Sequence, residues 1–171
     1  MEGSFDFAII LKSVPYLAEG MVLTFQLTLL GITGGIFFGT LLALCRLSPF
    51  APLSFVAGSY VNFFRSMPLI LVIFWFYFLV PFIVGHPVGG FWSVTLAFIM
   101  FEAAYYCEIM RAGIQSVTVG QVYAGQALGL PYRQNMQFIV LPQAFRIALA
   151  PTVGFMVQII KGTSLAYIIG F

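Results

Sequence analysis

The sequence predicts an all-α fold, a polytopic transmembrane helical bundle, and three observations carry that prediction. Apolar types make up 61% of the 171 residues and charged types only 7%, whereas soluble domains carry about 25% charged residues. A soluble fold of this size would lack the polar surface that keeps it in solution. Aromatic residues reach 18%, 20 of them Phe, a share suited to a lipid-facing surface. From Gly20 to Cys45 there is no charged residue, a run long enough at ~1.5 Å per residue to cross a hydrocarbon core about 30 Å thick with some tilt.

That run is the first expected span, about residues 20–45. Along it Gly31, Gly35, Gly39 and Ala43 recur every fourth residue on one helix face. Small residues at that spacing let a second helix approach closely, either within the chain or from another subunit. The segment RLSPFAP, Arg46 to Pro52, reads as a turn. The stretch from Pro52 to Gly85 is too long for one span. It divides into an amphipathic approach helix around Leu53 to Phe64 and a second span at about 67–84, with Arg65 at the join. His86, Pro87, Gly89 and Gly90 make the next turn, and a third span at about 91–110 carries Glu102 and Glu108. A polar loop at about 112–135 leads to a fourth span at about 136–160, interrupted by Pro142 and Pro151 and holding Arg146. The closing run IIGF reads as the start of a fifth element.

Basic residues set the orientation. The Arg46 turn and the long loop with Arg111, Arg133 and the adjacent Arg146 hold four arginines, while the His86 turn has none. The loop is therefore expected in the cytoplasm and the N-terminus outside. Glu2, Asp6, Lys12 and Glu19 break up the N-terminal segment, which lacks the positive start of a secretory signal.

Several function classes fall away. A net charge of +2 supplies no field for nucleic acid. Cys45 and Cys107 lie apart in apolar stretches, as packed thiols do. One His, no H-E-x-x-H and no nucleophile elbow argue against a membrane enzyme. No G-x4-G-K-[ST] loop occurs, so any ATP that drives this protein is hydrolysed by another subunit.

The long loop has helical apolar spacing where only turn residues are needed. Val122, Ala124, Ala127, Leu128 and Leu130 fit a short amphipathic helix, stopped by Gly129 and Pro131. Such a helix lies in the membrane interface or docks in a groove of a partner. An interfacial helix carries Lys or Arg on its polar face, and nothing from Ala112 to Tyr132 is charged. Docking is the better reading.

Here the residues meet a known pattern. Ala124, Gly129, Ile139, Leu141 and Pro142 fall in register on E-A-A-x3-G-x9-I-x-L-P, the signature of ABC-importer permeases, with Tyr123 in place of Glu and Gly125 in place of Ala. The segments NFFRSMPLILVIFWFYF, FEAAYYCEIMRAGIQSV, Gly120–Gln121, IVLPQAFR and KGTSLAYII also resemble polar amino acid permeases, most strongly the glutamate/aspartate importer permeases. The resemblance implies a MetI-like, type I importer permease in the bacterial inner membrane. It implies one further span beyond the TSL segment, so that the chain reads as an incomplete copy. It also implies cytoplasmic ATP-binding subunits, which hold ATP and Mg, a second permease subunit in a heterodimer, and an external substrate-binding protein. Residues Gly120, Gln121, Tyr123, Ala124, Gly125, Gly129, Leu141 and Pro142 would form the ATPase-coupling loop.

Ionisable residues within spans are functional candidates because they are costly in lipid. Glu108 and Arg111, three apart on one helix, are expected to pair locally. Glu102 either pairs with Arg65 or faces the aqueous path. Arg146 snorkels to the cytoplasmic surface. Lys161, followed by Gly162, Thr163 and Ser164, reads either as a grip for a carboxylate or as an anchor at the outer helix end. Arg65 has the donor geometry of a carboxylate ligand, or anchors the cytoplasmic side. Arg65, Glu102, Glu108, Lys161, Thr163 and Ser164 are thus the candidate substrate path. The rival reading is an ion-driven secondary transporter or channel, built on Glu102 and Glu108.

Overall fold

A computed structural model describes the backbone of residues 7–169 and the side chains of residues 11–166. Glu2 and Asp6, on which part of the N-terminal reading rests, lie outside the described residues, as do Gly170 and Phe171 of the closing run. The described chain is helical throughout. Three helices are long and apolar enough to cross a membrane, and a bent pair makes a fourth if it is taken as one span.

Helix α1 (Phe7–Arg46) runs unbroken through Pro15 and, at ~1.5 Å per residue, is about 60 Å long, twice a hydrocarbon core. The expected span is its second part. Lys12 and Glu19 end the apolar run without ending the helix, so charge marked the span and missed the element. Buried positions on α1 begin at Leu27 and Thr28 and then recur at Gly31, Gly35, Gly39 and Ala43.

That stripe packs on α4 (Gly90–Gln115), which settles it as packing within the chain. A Cβ at Gly35 would lie 2.7 Å from the Glu102 Cβ, and one at Gly39 would lie 2.6 Å from the Tyr106 Cβ and 2.9 Å from the Ala103 carbonyl. Small residues let the two backbones meet, and van der Waals contact holds helices together where lipid offers no hydrophobic drive. Helix α4 is the centre of the bundle, with α1, α2, α3 and α7 all packed against it.

Helices α2 (Ala51–Arg65) and α3 (Leu69–Val84) are bent at 105° to one another. Pro68 disfavours helical backbone at Met67, so the chain turns there and starts again. The Tyr60 hydroxyl donates to the Met100 carbonyl at 2.7 Å and ties α2 to α4. The Ser54 hydroxyl closes the α1–α2 turn on the Arg46 carbonyl at 2.8 Å. At 16 residues, α3 alone is about 24 Å long, somewhat short of a hydrocarbon core about 30 Å thick. Its end is capped by Gly85 at φ 77°, whose N–H donates to the Pro81 carbonyl at 2.9 Å.

Beyond α4 the expected loop is a helical hairpin. Helix α5 (Val119–Ala127) is followed by α6 (Tyr132–Asn135), a π-turn over Met136–Val140, and α7 (Leu141–Gly162), which continues as a 3-10 helix over Thr163–Ile169. The π-turn has a local cause. Pro142 has no N–H to give the ladder, and the Leu141 N–H reaches back five residues to the Met136 carbonyl.

Candidate functional site

Two places gather the residues that the sequence singles out. The first is a charge cluster at one end of the bundle. Glu108 accepts from Arg111 at 2.8 Å (Nη2 to Oε2) and 3.3 Å (Nε to Oε1), the local pair expected from their spacing. It also accepts from Arg46, at the last turn of α1, and lies 3.6 Å from Arg65 Nη1, at the last turn of α2. The Arg65 guanidinium lies 5.4 Å from the centre of the Tyr105 ring, a cation–π distance. Arg111 reaches Gln115 at 2.6 Å with its remaining arm. One carboxylate on α4 thus ties down the ends of α1 and α2, and three guanidinium charges share it.

Glu102 is a correction to the sequence reading. It does not pair with Arg65, and it faces α1 instead of an open path. Its side chain is 2% exposed, against Gly35 and Tyr106. Glu102 Oε2, the Tyr106 hydroxyl and the Thr28 hydroxyl have no hydrogen-bond partner among the described residues.

At the far end of α7, Lys161 is exposed. The two hydroxyls beside it are spoken for: Thr163 donates to the Ile160 carbonyl and Ser164 to the Lys161 carbonyl, both at 2.7 Å. A grip made of Lys161 and these hydroxyls is therefore not preformed. Thr163 lines a groove of about 720 Å³, walled by Leu27, Thr28 and Ile160 and mostly apolar.

The second place is α5. Only Gly125 is buried on it, and Val122 and Leu130 are half-buried. Ala124, Ala127 and Leu128, three of the apolar positions expected on a docking face, are exposed, and Leu128 is 80% so. Val119, Tyr123 and Tyr132 add to this exposed surface, while Gly120 and Gln121 form the exposed first turn. The helix ends as the sequence predicts. Gly129 has φ 78°, the Leu130 N–H donates to the Gly125 carbonyl at 3.1 Å, and the Leu128 N–H donates to the Ala124 carbonyl at 3.2 Å. This six-to-one closure needs a left-handed residue, which only Gly supplies without strain. Leu141 and Pro142 begin α7 beneath α5, where Val140 and Ala144 pack with Val117 and the partly buried Ile114, Val122 and Met136.

Sequence reasoning missed Asn135. It is 3% exposed, and its Nδ2 donates to the Val122 carbonyl at 2.8 Å. The available signal was Gly125, the departure from the permease pattern: a Cβ there would lie 2.4 Å from Asn135 Oδ1.

Comparison with known proteins bears on the family and the fold. The family described as "binding-protein-dependent transport system inner membrane component" matches residues 31–171. The glutamate/aspartate import permease protein GltK of Escherichia coli O6:H1 (strain CFT073) is 45% identical, over 96% of this chain and 77% of its own length. The arginine transport system permease protein ArtQ of Bacillus subtilis (strain 168) is 33% identical, over 96% of this chain and 75% of its own. Among solved structures, that of an amino acid ABC transporter with histidines superposes with a TM-score of 0.90 at 30% identity, covering 98% of this chain and 78% of the other. The inward-facing MetNI methionine transporter matches the fold with a TM-score of 0.71 at 20% identity, over 96% of this chain and 77% of the other.

Proposed function

The chain belongs to the family of binding-protein-dependent transport system inner membrane components, as the permease subunit of an amino acid importer of the ATP-binding-cassette class, and we propose that its cargo is glutamate and aspartate. The observation that carries this reading is the 45% identity, over nearly the whole chain, to a glutamate/aspartate import permease. The electrostatics support it. Arg65 has a 40% exposed side chain and a counter-charge only at 3.6 Å, shared with two other arginines. A guanidinium in that state attracts a dicarboxylate and repels arginine.

In this reading α5 enters a groove of a cytoplasmic ATP-binding subunit, through the exposed and uncharged surface of Val119, Tyr123 and Leu128. ATP and Mg are held by that subunit. A related second permease subunit completes the path as a heterodimer, an external binding protein delivers the amino acid, and the N-terminus lies outside. The ion-driven alternative has no support from the relatives. Glu108 is engaged by arginines, and Glu102 is enclosed between α1 and α4.

The cargo is tested by uptake into proteoliposomes that hold the complete importer, with labelled glutamate and a tenfold excess of unlabelled competitor. Aspartate is expected to suppress uptake by most of its value, and arginine to leave it unchanged. Equal suppression by arginine or glutamine would overturn the cargo assignment and leave the permease assignment standing.

A further inference from the structure

We propose that Asn135 and Gly125 form a matched clasp that fixes α5 to the start of α7, and that Asn135 is the positioning residue through which movement of the docked helix reaches the membrane. The proposal rests on the reading of α5 as the docking helix.

A nine-residue helix is too short to hold itself together in water, so its attachments decide what it can transmit. On α5 only Gly125 is buried, with Val122 half-buried beside it, and both meet Asn135. The Asn135 amide donates to the Val122 carbonyl at 2.8 Å. Its Oδ1, enclosed and without a hydrogen-bond partner among the described residues, lies so close to Gly125 that a Cβ there would meet it at 2.4 Å, and Ile139 Cδ1 at 2.6 Å. That closeness leaves the Oδ1 facing the Gly125 backbone. The side chain therefore holds α5 by a bond on one side and by contact on the other.

The π-turn aims this clasp. Its extra residue per turn rotates everything before it by about 100° relative to a continuous α-helix. Asn135 is the residue immediately before that turn, so its direction toward α5 depends on the winding that Pro142 imposes. At the end of the turn Val140, and beyond it Ala144, bury against Val117, and Gly113 on α4 approaches the Ala144 carbonyl so closely that a Cβ would lie 2.8 Å from it. The path from α5 through Asn135 to α7 and α4 thus runs through direct contacts at every step. Glycine at 125 and asparagine at 135 are then one choice made at two positions.

The test uses the complete importer with its ATP-binding subunits, reconstituted, and reads substrate moved per ATP hydrolysed, together with co-purification of the ATP-binding subunit and the KM for external substrate. Asn135→Ala is expected to lower transport per ATP at least threefold, with co-purification and KM unchanged. Gly125→Ala is expected to lower it likewise, and the double variant Gly125→Ala/Asn135→Ala to exceed Gly125→Ala alone, because the new Cβ then meets only Ile139 Cδ1, the end of a flexible side chain that can turn aside. Should Asn135→Ala fail to assemble, Asn135→Ser in the same pairing makes the same comparison. Unchanged transport per ATP in the Asn135 variant, or a double variant no better than Gly125→Ala, overturns the clasp. If the ATP-binding subunit does not co-purify with the natural sequence, the docking reading falls and the clasp with it.

Discussion

The seam between α1 and α4 and the hairpin around α5 both depend on glycine, for opposite reasons. At Gly35 and Gly39 the backbone is ordinary helix and the space is gone. At Gly129 the space is open and the backbone is left-handed. The seam is specified by what surrounds it, the hairpin end by its own torsion angles. Damage to the seam thus acts on the stability of the whole bundle. Damage to the hairpin changes what the protein can hold while the bundle stays intact.

Substitutions can break this contrast. The largest effect is expected from Gly39→Leu, where the obstacle includes the Ala103 carbonyl and cannot swing away. A loss of about 3 kcal/mol or more should appear as a collapse of the monodisperse peak in detergent, while Gly154→Leu, facing open space, keeps it. Glu108→Ala leaves three arginines without their shared carboxylate, at a cost of about 1–3 kcal/mol, read as a lower thermal midpoint in detergent. Gly129→Val forces a β-branched residue to positive φ at about 1–2 kcal/mol, confined to the turn. The thermal midpoint should hardly move, and co-purification of the ATP-binding subunit should be lost. Leu128→Ala should change stability by less than about 0.5 kcal/mol and weaken only that association. A midpoint that falls with Gly129→Val as far as with Gly39→Leu would erase the distinction.

The sequence carried the parts that local spacing encodes. The charge-free run from Gly20 to Cys45 lies within α1, small residues at every fourth position marked the seam, and Glu108–Arg111 followed from being three residues apart on a helix. Gly129 declared its own turn. What stayed hidden depends on distance along the chain. Arg46 finds Glu108 across 62 residues, and no local rule separates that partner from Glu102. The N-terminal part of α1 was illegible because Lys12 and Glu19 end hydropathy without ending a helix. Apolar spacing on α5 marks a face that this chain leaves bare, Leu128 most of all. Asn135 looked like any polar residue near a turn, and only the missing Cβ at Gly125 gave it away.

The shared carboxylate of Glu108 has an electrical consequence. Three guanidinium groups and one carboxylate leave two positive charges over at that end of the bundle. In the proposed orientation they face the negative side of an energised membrane. Each such charge is worth about 2.3 kcal/mol per 100 mV, so the potential itself helps to hold the subunit the right way round.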